Sequence, residues 1–417
     1  MIRVSYYYSA CVGLWTPDLS ILCDPWFSEG IYDGAWYAFP RLENPLERIG
    51  SYDTIYLSHI HPDHYDPDFL RRYRSRFPKA GIIVGDREPN YLSRKLHDDG
   101  FEHQSVRTRQ IGDSEIGIFP NRIGSAPVDT ALVVKHGGHA VVNMNDNPYD
   151  PEQLDAIRHF AGRAEIRIAL LPYAGAGPYP QTYYTDSETL ASKAAEKKQD
   201  FFERYEGLRS ALGARVNIPF AGQYILGGKL APLNRHRGVS DAAEILGRDS
   251  TAVVLADGGD AHIDTESLQP SRARTVPYST EEMERAIAAV ADRPLAYESH
   301  FADLPANAIP FSRLLPAAYE HGVTRSPAEH SYIFSIRVGD RWFVCDACKK
   351  DAFCEFRSQP PGEEPRSEIE IDARYLFGLV TGVYHWNNAE VGSLFRVRRV
   401  PDRYDPDAQN FLNFFHL

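Results

Sequence analysis

Ser58-His59-Ile60-His61-Pro62-Asp63-His64-Tyr65-Asp66 decides how this chain is read. Three imidazoles and a carboxylate fall between positions 59 and 64, directly after Thr54-Ile55-Tyr56-Leu57, an apolar run that predicts a strand. At a strand end, His59 and His61 can point one way while the chain turns and brings Asp63 and His64 round beside them. Neutral imidazole and carboxylate are the ligand set for zinc or iron, and carboxylate enrichment tilts the choice toward harder ions. The run predicts a metal site. Asp66, ahead of Pro67 at the start of a helix, suits an N-cap as well as it suits a ligand.

The rest of the chain sets the bounds. Its 417 residues suffice for one large or two ordinary domains, with 43% hydrophobic and 24% charged residues as in globular proteins. A formal net charge of -12 argues against a sequence-independent grip on nucleic acid, which needs Lys and Arg to displace counterions. The amino terminus lacks the apolar core of a signal peptide, and no apolar run is long enough to cross a bilayer. The expectation is a cytoplasmic protein with no membrane contact. Five cysteines, Cys11, Cys23, Cys345, Cys348 and Cys354, form an odd set without framework spacing and read as reduced thiols. Cys345 and Cys348 form a CxxC without the second pair that a zinc knuckle needs.

Short apolar runs alternate with helical segments through the first part of the chain. Strands are predicted at Ser20–Cys23, Gly81–Gly85, Ala131–Val134, Ala140–Asn143 and Ile166–Leu171, and helices at Pro151–Phe160 and Ser187–Leu212, with Ser187 as cap. This pattern predicts a layered α/β sandwich over residues 1–260. Pro, Ser and Arg gather from Gln269 to Ser279, as in a linker or long connection, before a helix from Thr280 to Ala291 and a hairpin about Gly339-Asp340. Residues 261–417 read as a smaller α+β region packed on or extending the first. The apolar end, Phe411 to Leu417, is expected to dock.

The HxHxDH run in its strand–loop–helix setting resembles the metallo-β-lactamase superfamily, whose fold is a four-layered αββα sandwich. Ile21-Leu22-Cys23-Asp24 matches its earlier strand ending in Asp, whose usual part is to orient the loop. Val141-Val142-Asn143-Met144-Asn145-Asp146 is similar to the later strand ending in a metal-bridging Asp. Two positions depart from the pattern. Asp129 stands where the superfamily usually has a His, and Val216-Asn217-Ile218-Pro219 runs into Phe220-Ala221-Gly222-Gln223 without the final His. The resemblance therefore implies His59, His61 and Asp129 as a 2-His-1-carboxylate face, an arrangement associated with non-haem iron(II). Asp63, His64 and the shared Asp146 would make a second position, completed if at all by His236, His262 or His300.

These departures resemble one branch, the CMP-N-acetylneuraminate hydroxylases. The likeness rests on Val128-Asp129-Thr130, Gly138-His139, the strand to Asp146, Tyr173-Ala174-Gly175-Ala176-Gly177-Pro178-Tyr179-Pro180, the Lys-rich helix after Ser187 and Pro219-Phe220-Ala221-Gly222. With weaker likeness near Asp402-Arg403-Tyr404 and Phe411 to Phe415, it is expected over about two-thirds of the chain. Members of that branch carry a Rieske iron–sulfur domain held by Cys-x-His pairs, and no such pair occurs here. Electrons would then come from a separate donor protein or from the substrate.

The leading expectation is a non-haem iron oxygenase or hydroxylase, with one or two iron ions, acting on a small polar metabolite, sugar-like or nucleotide-sugar-like. The competing one is a dinuclear zinc hydrolase of an ester, amide or phosphodiester, in which a bridging water loses its proton near neutral pH. A degenerate sandwich kept as a binding module is the third. Asp63 and Asp146 are the candidate catalytic carboxylates in either enzyme. Trp26, Trp36, Tyr173, Tyr179, Gln223 and Tyr224 are candidate substrate contacts, although the tryptophans suit a core cap equally well. Asn234-Arg235-His236-Arg237 suits an exposed basic turn or a phosphate or carboxylate clamp.

Overall fold

The computed structural model describes residues 1–123, 128–350 and 352–417. Ala126 and Pro127, which precede Asp129, and with them part of the segment that carries the branch resemblance, lie outside the described residues. The strands fall into two large sheets that face one another. The first runs Ala261–Asp264, Arg3–Tyr8, Cys11–Trp15, Ser20–Cys23, Thr54–Tyr56, Gly81–Gly85, Gln104–Val106. The second runs Val216–Phe220, Glu165–Pro172, His139–Asn143, Thr130–His136, Ser114–Pro120, Thr108–Ile111.

Strand alternation explains the layering. Val4, Ile21, Tyr56, Leu132, Val141, Ile168 and Ile218 point between the sheets and form one buried cluster. Their neighbours point outward: Leu22, Ile55 and Ile82 pack against helices Pro67–Arg76 and Tyr91–Asp98. Val133, Val142 and Leu171 pack against Pro151–Ala161 and Ser187–Leu212. With helices on both outer faces, the central strands are buried on both sides, and their sequences are runs of apolar residues rather than alternations. This is the αββα sandwich of the metallo-β-lactamase fold.

A five-stranded sheet, Cys354–Arg357, Arg341–Asp346, Ile333–Val338, Arg366–Glu370, Arg396–Val400, forms the smaller α+β part with helices Phe311–Arg325, Ala373–Val380 and Pro406–Leu412. Phe411, Leu412 and Phe415 are buried in its core. Two local readings change and one narrows. Asp186, not Ser187, caps the long helix, accepting from the Thr189 amide at 2.7 Å. Of the two readings of the Pro/Ser/Arg stretch, the long connection holds rather than a free linker, since Ser271 bonds back to His262 and Arg274 binds both oxygens of Asp241 at 2.7 and 2.9 Å. Residues Ala261–Asp264 pair with Arg3–Tyr6, so the first sheet continues past position 260. All five thiols are free.

Candidate metal centre

One edge of the sandwich collects the chemistry, and the strand directions account for it. Ser20–Cys23 and Thr54–Tyr56 run parallel, as do His139–Asn143, Glu165–Pro172 and Val216–Phe220, so the loops after each leave on the same side. Thr130–His136 runs antiparallel to His139–Asn143, which brings Asp129, just before its start, to that edge. Across the sheets, the Tyr56 hydroxyl and the Thr130 hydroxyl lie 2.7 Å apart, and Thr130 donates to the Ser58 carbonyl at 2.8 Å. That contact sets Asp129 beside the histidine run.

The ligand candidates converge in two groups that share His59. Ligand atoms of His59, His61 and Asp129 lie within 4.8 Å of one another, and so do those of His59, His64 and Asp146. His59 is fully buried, with Nε2 2.8 Å from His61 Nδ1 and Nδ1 2.9 Å from the Ser58 hydroxyl. Its Nδ1 is also 3.6 Å from Asp129 Oδ1 and 3.8 Å from Asp146 Oδ1. His64 Nε2 sits 3.4 Å from Asp63 Oδ2 and 3.5 Å from Asp146 Oδ2. Asp63 stands at the edge of this set, held by the Tyr32 hydroxyl, which donates to its Oδ1 at 2.6 Å.

Asp24 is the fixed point beneath the site. Fully buried, it accepts from the Ser58 amide at 2.8 Å, from the Asn145 side-chain amide at 2.5 Å and from His64 Nδ1 at 3.2 Å. It thereby ties the histidine run to the Asp146 loop. Asp66 is a cap and an anchor: it accepts from the Phe69 amide at 2.9 Å, from the Phe27 and Ser28 amides and from the Ser28 hydroxyl. Asp24, Asn145 and Ala221, each one or a few residues past a strand end, all have left-handed backbones, with φ of 40°, 57° and 56°. Strained turns of this kind concentrate where a site fixes the chain against its preferences. Ala221 occupies the region where the final His was expected.

The electrostatics match the donor set. Burial and the neighbouring His64 hold His59 well below the usual imidazole range, so it is neutral and has a lone pair to offer. Burial also works against a charge on His64, but Asp146, Asp63 and Asp24 outweigh it and raise its pKa. Asp129 is raised by burial and by the Asp146 carboxylate, whereas Asp146 is lowered because His59 and His64 overcome its burial. Asp129 Oδ1 and Asp146 Oδ1 are buried without any hydrogen-bond partner. Orphaned buried carboxylate oxygens beside neutral imidazoles are what a bound cation would satisfy, so the residues fit a metal.

Beside the centre lies a cavity of about 230 Å³. Asp63 and Asp146 reach it, together with Trp26, Trp36, Gln223 and Tyr224 from the expected substrate contacts. Tyr173 and Tyr179 do not line it. Tyr173 is buried beneath Gly222, where a Cβ would come within 2.6 Å of its ring, and Tyr179 faces Asp402 at 3.4 Å. His236, His262 and His300 join neither ligand group; His300 binds the Tyr384 hydroxyl at 2.7 Å. Arg237 is buried rather than exposed. Tyr32, Asn145 and Ser58 escaped the sequence reading as functional residues. Of these only Asn145 carried a signal, as a residue type that tolerates the left-handed turn before Asp146.

No protein-family model matches the chain. It is similar to a protein named as a Rieske 2Fe-2S iron-sulfur protein in Mycolicibacterium smegmatis, 31% identical over 214 residues, which are 49% of this chain and 40% of that protein. It is also similar to the cytidine monophosphate-N-acetylneuraminic acid hydroxylase of Gorilla gorilla gorilla, 25% identical over 238 residues, 54% of this chain and 38% of that one. The chain thus spans less than half the length of these relatives, and the likeness covers less of it than the two-thirds expected. Among solved structures it is similar to CmlA, a diiron β-hydroxylase from Streptomyces venezuelae, with a TM-score of 0.41, 17% identity and 65% of this chain against 54% of that one.

Proposed function

We propose that this chain, a metallo-β-lactamase-fold relative of the CMP-N-acetylneuraminic acid hydroxylases, is the catalytic part of a non-haem iron oxygenase that oxidises a small polar metabolite. The observation that carries the reading is the pair of orphaned carboxylate oxygens, on Asp129 and Asp146, facing three histidines. An oxygen-rich donor set of this kind suits iron better than zinc. His59, His61 and Asp129 would hold one ion, and His64, Asp146 and Asp63 a second. Bound iron would supply the redox chemistry that activates oxygen.

The chain's own residues do the rest. Asp24 fixes the Nδ1 side of His64 and leaves the opposite ring nitrogen for ligation, while the Ser58 hydroxyl steadies the His59 ring at Nδ1, the nitrogen nearest the Asp129 and Asp146 oxygens. Tyr32 holds Asp63 by one oxygen and leaves the other beside His64. The rings of Trp26, Trp36 and Tyr224 give an aromatic wall to the space where Asp63 and Asp146 are reached. No Cys-x-His pair occurs in this sequence, and relatives bear Rieske names, so we assign the electrons to an iron–sulfur protein or domain outside it.

Metal analysis of protein purified without added metal tests the reading. The expected result is iron, with oxygen consumed on reduction; stoichiometric zinc with hydrolytic turnover would overturn it. Asp129→His is expected to shift the bound metal toward zinc and abolish oxidation, and unchanged metal content would remove Asp129 from the ligand set.

A further inference from the structure

Lys197 and Arg237 are buried basic side chains, and no carboxylate of a described residue pairs with either. Their residues are 9% and 5% exposed. Lys197 Nζ donates to the carbonyls of Ala176 at 3.3 Å and Tyr179 at 2.9 Å. Arg237 donates from Nη2 to the Tyr224 carbonyl at 2.8 Å, while its Nε and Nη1 are buried with no partner. Burial, and then Arg237, pull the Lys197 ammonium down to about 7, which measures how poorly this spot is neutralised.

Both cations stand directly behind the cavity. Ala176 and Tyr224 line it, and each is hydrogen-bonded through its carbonyl to one of them. Trp36 stacks on one face of Tyr224 at 3.5 Å and 9° between planes, so the guanidinium, 4.3 Å from the ring centroid, covers the other face. A third cation, Arg204, lines the cavity itself. It is exposed, lies 4.8 Å over the Phe201 ring and makes no ion pair with a described residue. The carboxylates among the lining residues are Asp63 and Asp146, whose charge a bound metal would offset. Uncompensated charges of one sign around a partly enclosed space concentrate an anion there.

We infer that the wall formed by Ala174, Gly175, Ala176, Tyr224 and Arg204 is an anion subsite for a carboxylate or phosphate group of the substrate. Arg204 is the direct partner, and Lys197 and Arg237 supply positive potential from behind. The inference rests on the reading of the cavity as the substrate site and narrows the substrate to an acidic metabolite. It also explains why two cations are kept buried at a place where backbone carbonyls and the Tyr224 ring, but no carboxylate of a described residue, meet them.

The test is calorimetric titration of the full chain as purified with inorganic phosphate, with succinate and with uncharged N-acetylglucosamine. The same series is run on Arg204→Gln, a surface change, and on Lys197→Met, which keeps the buried stem. Saturable binding of phosphate or succinate is expected, weakened about tenfold in each variant, with none for the neutral sugar. Phosphate alone would assign a phosphate ester and succinate alone a carboxylate. Absence of saturation by either anion, or an Arg204→Gln protein that binds as the parent does, would overturn the subsite. Metal ligation is common to parent and variant, so failure here in a protein that holds iron and consumes oxygen sinks the subsite and leaves the oxygenase reading intact.

Discussion

Asp24 shows how a single residue can govern a site it does not enter. Three donors converge on a fully buried carboxylate, two from the histidine run and one from the loop that carries Asp146. Asp24→Ala would strand all three, costing about 3 kcal/mol of stability. It would also loosen metal binding about 10- to 100-fold, since groups behind the ligands set their orientation. Urea denaturation and metal titration read the two effects, and a variant that keeps both parental values would refute this role. The candidate ligands His59, His61, Asp63 and His64 were legible at this scale because they lie close together in sequence. Tyr32 was not legible, because it reaches Asp63 only through folding of a turn 31 positions away.

At the scale of elements, caps and strand ends carried most of the readable information. Helix Ser187–Leu212 has the predicted bounds, and the hairpin Thr130–His136 with His139–Asn143 closes at the predicted glycines. The alternatives at Asp66 resolved in favour of the cap, since four donors already take its two oxygens. Which histidines and aromatics would meet could not be read, because His300, Tyr173 and Tyr179 follow from packing between distant elements. Helix Trp386–Val391 gives a pH prediction. Burial pushes the Glu390 carboxyl up to about 7, against a hydrogen bond from Gln409 that favours its charge. A carboxyl raised above its unfolded value binds its proton more tightly in the folded state, so stability falls as pH rises from about 4.3 to about 7. Glu390→Gln should therefore melt higher than the parent at about pH 8 and nearly with it at about pH 4. Parallel melting curves at both would refute the buried-acid account.

For the whole molecule, the site and the carboxyl-terminal region share one core. Trp26, Tyr32, Trp36 and Tyr224, all at or beside the cavity, belong to the same buried cluster as Tyr375, Trp386 and Phe411. The Tyr375 hydroxyl donates to Asp33, next to Tyr32, at 2.7 Å. Unfolding followed by tryptophan fluorescence and by far-ultraviolet circular dichroism should therefore give coincident transitions. Two separated transitions would mean that the regions fold apart. Sequence patterning divided the chain near position 260 and named no residue that joins the two parts, because aromatic runs such as Trp26-Phe27 suit a pocket wall and a core cap alike.

The pairing of Ala261–Asp264 with Arg3–Tyr6 has a consequence for how the chain reaches this state. The first sheet has its outermost strand supplied from more than 250 positions downstream, and the Ile2 amide donates to the Thr265 hydroxyl from the same distant segment. During synthesis, strand Arg3–Tyr8 must wait with an open edge of unpaired amides and carbonyls until the ribosome has delivered that segment. Contacts of such separation slow folding and leave edges free to pair wrongly. The nascent sandwich is therefore the stage at which this protein is most in need of chaperones, and its yield should depend on them more than the finished fold would suggest.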